Sequence, residues 1–193
     1  MDLSVLKSMP IGLLMFAAMV WGFFRRRARQ KSAQVDYPAL AQRLRLAHRV
    51  PVHPKQIGQL YGTMRGFSVL VDPDEQRKII VRFHGEPKLD LRSYEGPRCP
   101  IGMEYYTAQD RVVDGYLKTR YASPEVALRL DKAELRRLVQ PFREHYRHAV
   151  KELNITEHGV TCVLDFGNPP HIPAGAVEEL LPALIDWAEA IEP

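Results

Sequence analysis

Cysteine is scarce in this chain of 193 residues: Cys99 and Cys162 stand alone, in no Cys-x-x-Cys or Cys-x-x-x-His arrangement. That excludes a disulfide scaffold and a cysteine-based zinc site. No glycine-rich phosphate loop occurs, and no serine or cysteine sits in a local nucleophile signature with histidine. There is no internal repeat and no low-complexity tract, so solenoid and linker-like architectures drop out. The formal charge of +4 invites nucleic acid, but its distribution removes that class. Residues 1–31 carry Lys7, Arg25, Arg26, Arg27, Arg29 and Lys31 against Asp2, a net of +5, which leaves −1 for residues 32–193. A domain near neutrality has no basic footprint for phosphate, so nucleic acid is not an expected partner. No cofactor is expected either.

What is present at the start is one apolar stretch, Leu3 to Phe24, running into Arg25-Arg26-Arg27-Ala28-Arg29-Gln30-Lys31. A helix of that stretch would cover roughly 33 Å, enough for a bilayer core of about 30 Å. Charge follows the apolar run instead of preceding it, which argues against a cleaved signal peptide. The pattern predicts a single transmembrane helix with Trp21 and the cations Arg25, Arg26, Arg27, Arg29 and Lys31 at the membrane interface, facing an anionic inner leaflet. Positive charge marks the cytoplasmic side, so the expectation is an inner-membrane, single-pass protein, N-terminus out and C-terminal domain cytoplasmic. Within the run, Ala18-x-x-x-Gly22 is a small-residue pair of the kind that lets helices approach. The chain divides accordingly into an anchor (1–31), a linker with a short amphipathic helix (32–56) and an α+β domain (57–193).

Beyond the anchor, residues 37–49 place Leu40, Leu44 and Ala47 at helical spacing. Strands are expected over Gln59–Met64, around Phe67, Val69 and Val71, and around Ile79, Val81 and Phe83, with Asp72-Pro73-Asp74 as a turn. Residues 85–103 read as loop around a short strand at Leu89–Leu91. Ser123-Pro124-Glu125 opens a helix, and Asp131 with Glu134 resembles a capping box. The stripe Leu135, Leu138, Val139, Phe142, Tyr146, Ala149, Val150 and Leu153 extends that second helix toward residue 153, bent or divided at Pro141. Val160 to Phe166 is a strand and Ala174 to Ile191 a helix. The fold class is α+β: an antiparallel sheet with helices packed mainly on one face.

Chemistry is thin. Glu144, His148 and Glu152 recur at helical spacing beside His145, but they match neither the paired Glu-x-x-His nor the His-Glu-x-x-His pattern, so a solvated charged face is the expectation. Asp165-Phe166-Gly167 spells a kinase magnesium motif without any other kinase signature, and reads as a turn. The best candidate for ligand binding or acid–base work is DRVVDGYLKTRY, which holds Asp110, Asp114, Lys118, Arg120 and Tyr121.

The span, the Gly62-Thr63-Met64-Arg65-Gly66 turn, Leu89-Asp90-Leu91 and the Val113-to-Tyr116 segment together resemble a group of bacterial single-span, membrane-anchored proteins of uncharacterised activity. That resemblance implies no activity. The order of elements is also similar to the type III secretion chaperone fold. The expected function is a membrane-tethered protein-interaction domain, adaptor or assembly factor, with an unidentified protein partner. The alternatives are an enzyme or small-ligand binder using Asp110–Tyr121, and a single-span subunit of a larger membrane complex.

Overall fold

The computed structural model describes residues 11–51, 53, 56–96, 98–167 and 171–192. Helix α1, Ile11–Leu44, runs 34 residues without a break, through the basic run and through Pro38. It stops at Arg45, which takes a left-handed φ of 55° and lets the Leu46 N–H reach the Ala41 carbonyl at 2.8 Å. This is a Schellman-type end with arginine where glycine is usual. Tyr37, Leu40 and Ala41 on its last turns are buried in the same core as the sheet.

The anchor expectation is corrected here. Among the described residues no helix is long and apolar enough to cross a membrane. The apolar part of α1 runs from Ile11 to Phe24, about 21 Å, and Arg25 follows within the same helix. A bilayer core is about 30 Å thick. The span read from the sequence borrowed residues 3–10, which lie outside the described residues. The single-pass, inner-membrane assignment and the N-out, C-in topology depended on that span and lose their support with it.

Among the described residues nine strands form one antiparallel sheet in the order β1-β2-β3-β4-β9-β8-β5-β7-β6. They are β1 Ala47–Arg49, β2 Gln59–Met64, β3 Phe67–Asp72, β4 Lys78–Arg82, β5 Leu89–Arg92, β6 Glu104–Tyr105, β7 Thr119–Ala122, β8 Val150–Thr156 and β9 Gly159–Leu164. Strands β1 to β4 form a meander; β9 then adds beside β4 and carries β8, β5, β7 and β6 outward. Alternation sorts the faces. Leu60, Val69, Val71, Ile79, Val81, Val160, Cys162, Leu153, Ile155 and Leu91 point to one side and are buried. Tyr61, Leu70, Ile80, Arg82, Thr161 and Thr156 point to the other and are half-buried or exposed.

The remaining helices are α2 Arg111–Tyr116, α3 Pro124–Arg129, α4 Lys132–Glu144 and α5 Ala174–Ile191. The expected α+β antiparallel arrangement is present. Helix α5 lies on β3, β4 and β9, with α1 and α4 packed beside it. Its Val177, Leu180, Leu181, Leu184, Ile185, Trp187 and Ala188 fill the core. Ser123 and Asp131 cap α3 and α4 as their residue types predict, accepting the Val126 and Glu134 N–H groups at 3.3 and 2.8 Å.

Two local expectations change. Helix α4 ends at Glu144, and residues 150–156 form β8 instead of continuing it. The helical stripe through Tyr146, Val150 and Leu153 coincides with a period-two pattern in which Leu153 and Ile155 face the core, and pairing with β9 decides between them. Glu144, His148 and Glu152 therefore never share a helix face. Residues 47–49, read as helix, pair with β2 as an edge strand.

Candidate functional site

Three regions bear on function. The first is the segment from Asp110 to Tyr121. Asp110 is the N-cap of α2, its Oδ1 accepting the N–H groups of Val112 at 2.8 Å and Val113 at 3.2 Å. The Val113 N–H and its neighbour, with Arg136 and Lys132 nearby, hold this carboxyl below the usual carboxylate range. Asp114 accepts N–H groups of Ala108 and Asp110 and lies 3.4 Å from the Arg120 Nε. The buried Arg120 guanidinium donates to the carbonyls of Asp114 at 2.7 Å, Leu117 at 2.5 Å and Tyr106 at 3.2 Å, and to the Tyr105 hydroxyl. Asp110, Asp114 and Arg120 are thus brought together, and what they do is tie a short helix to β7. Lys118 stands apart, exposed, donating to the Gly115 carbonyl. Tyr121 faces the opposite side of the sheet, across from Asp90 and edge-on to Tyr105. Among the described residues no group of three or more His, Cys, Asp or Glu could hold a metal ion. Asp165 of the Asp-Phe-Gly sequence accepts the Gly167 N–H at 2.8 Å and the Arg77 guanidinium at 3.2 Å, a turn closed on itself.

The second region was not legible in the sequence. On the sheet face opposite the main core, a groove of about 530 Å³ lies between the end of β4 and the β8–β9 turn. Ile80, Arg82, Thr156, Gly159 and Thr161 form its floor, with His84, Glu86 and His158 at its sides. The His84 ring is held by the Gly66 carbonyl at 3.0 Å and lies tilted against the Phe67 ring, and its other nitrogen lies 3.6 Å from Glu192. Glu157 stands 3.7 Å from His158. The only sequence signal was a polar residue at alternate strand positions, which says which face a residue takes but not which strands adjoin.

The third is the first half of α1. Met15, Phe16, Met19, Trp21, Phe23 and Phe24 are each more than 60% exposed, although Tyr37 and Leu40 on the same helix are fully buried. Large apolar side chains on successive positions point in every direction around the axis, and among the described residues none covers them. Exposed apolar surface on this scale marks an interaction site.

No protein-family model matches this chain, and no curated protein matches it in sequence. Among solved structures, the chain is similar in fold to the mycobacterial trehalose monomycolate transport factor A, TtfA, with a TM-score of 0.53 over 83% of this chain and 96% of that one, at 9% sequence identity.

Proposed function

We propose that this chain is an accessory or adaptor protein that works by binding another protein. The observation that carries the reading is α1: one continuous helix, anchored in the core through Tyr37, Leu40 and Ala41, whose other half presents uncovered Met15, Phe16, Met19, Trp21, Phe23 and Phe24. A helix that is apolar all round is covered in its working state. Here that surface is carried on the same unbroken helix that enters the core. The titratable residues gathered around α2 support the reading from the other side, because their polar atoms are engaged in capping and in carbonyl contacts. The fold is also similar to that of a protein named as a transport factor.

The test is co-purification of the tagged full-length chain from its own cells, beside the double variant Phe16→Ser, Trp21→Ser. A protein retained in stoichiometric amount by the wild type and lost by the variant, with circular dichroism unchanged, is the expected result. Equal retention by both, or no stoichiometric partner for either, removes the proposal.

A further inference from the structure

The groove on the outer sheet face has a glycine in its floor. Gly159 pairs with Arg82 on one side and with Thr156 on the other, and Thr156 pairs in turn with Asp90, whose carboxylate is engaged by Arg92. In the next row Ile80 pairs with Thr161, placing a second hydroxyl beside the gap. The gap is fixed by the backbone. A Cβ at Gly159 would come within 2.1 Å of the Val81 carbonyl, at a φ of +140°, so a larger residue cannot fill it without moving β4.

The polar groups around this gap are spare. Neither the Arg82 guanidinium nor the Thr156 and Thr161 hydroxyls make a hydrogen bond or ion pair with another described residue. His84 is different: its Nε2 donates to the Gly66 carbonyl, so its ring serves as a wall. Arginine and two threonines on the same sheet face thus line the groove, offering a forked cation and two hydroxyl donors. That set matches the oxygen atoms of a small anion, because arginine can present two parallel N–H groups to one carboxylate or phosphate.

We infer that this groove is a binding site for a compact oxyanion, a carboxylate or a phosphate group, seated over Gly159 between Arg82, Thr156 and Thr161. The rims argue for compactness. Glu86 and Glu157 both line the groove, and both would repel an extended polyanion lying along it. The inference stands apart from the adaptor reading, since the groove is on the sheet and not on α1.

Solution NMR of the full-length chain tests it. Sodium phosphate and sodium acetate are titrated separately, each replacing chloride at constant ionic strength. The expected result is saturable shifts of the Thr156, Gly159 and Thr161 amides and of the Arg82 Nε–H, with apparent affinity at least fivefold weaker in Arg82→Gln and severalfold weaker in Thr161→Val. Both side chains lie on the sheet surface, and an unchanged thermal midpoint identifies variants that keep the fold. Tighter saturation by phosphate assigns a phosphorylated ligand, and tighter saturation by acetate a carboxylate; either upholds the site. Linear, unsaturating shifts with both anions, or saturation that Arg82→Gln leaves unaltered, overturns it.

Discussion

Arg120 shows how one buried charge is made tolerable. Its guanidinium reaches three backbone carbonyls and the Tyr105 hydroxyl, with the Asp114 carboxylate 3.4 Å from Nε, so each face of the group finds an acceptor. Removing it strips partners from buried carbonyls that water cannot readily reach. Arg120→Met should therefore cost about 3 kcal/mol or more in denaturant unfolding, against less than about 0.5 kcal/mol for Lys118→Met on the surface. His171 poses the opposite problem. It is buried, and burial lowers its imidazole pKa below the ordinary value, with Asp74 pulling in part the other way. An unfolded histidine takes up its proton as pH falls through about 6.5, and this native one takes it up at lower pH. Between those two values the unfolded state binds more protons, so folding stability drops as the solution is acidified. Urea unfolding at pH 7.5 and 5.5 should show a smaller loss on acidification in His171→Gln than in the wild type. An equal loss would mean that other groups set the dependence.

At the scale of the element, α1 divides into a half that stabilises the fold and a half that does not. Leu40 is fully buried, so Leu40→Ala should lower unfolding stability by about 3 kcal/mol, the cost of lost burial plus a cavity. Phe16→Ser and Trp21→Ser should leave it within about 0.5 kcal/mol, because those side chains touch solvent and not the core. If both halves proved equally sensitive, the exposed half would be packed in solution. The same helix shows where sequence reasoning ends. Elements with a local signature were legible: β2, β3 and β4 through alternation, α3 and α4 through Ser123 and Asp131, α5 through its apolar stripe. The end of α4 was not, because Tyr146, Val150 and Leu153 fit a helical period and a strand period equally, and the deciding partner is β9. The span failed because its length depended on residues 3–10, while the described apolar part stops at Phe24. The segment around Asp110 and Arg120 was visible as a concentration of charge, but capping and ligand binding use the same residue types. The groove at Gly159 could not be read at all, since Arg82, Gly159 and Thr156 become neighbours only through the β4–β9–β8 pairing.

For the whole molecule, that pairing determines cooperativity. Strand β9 is the seam between the β1–β4 meander and the group of β8, β5, β7 and β6, and it pairs along its length with both β4 and β8. Its core side chains Val160 and Cys162 sit opposite Val81 and Ile79 on one side and Ile155 and Leu153 on the other. Helix α5 reinforces the join by packing on β3, β4 and β9 while touching α1 and α4. Because α5 bridges β4 and β9 and the buried side chains of both halves form one core, the described domain should unfold as one unit. The chain offers a direct probe, because its two tryptophans are Trp21 on the exposed half of α1 and Trp187 buried in α5. In a Trp21→Phe background, fluorescence reports Trp187 alone, while far-UV circular dichroism reports all strands and helices. The two denaturation curves should superimpose, as a two-state transition requires. Val160→Asp, which places a carboxylate in the seam between Val81 and Ile155, should shift both curves to lower denaturant together. A biphasic dichroism curve with Trp187 following only one phase would show instead that the sheet is two units joined at β9.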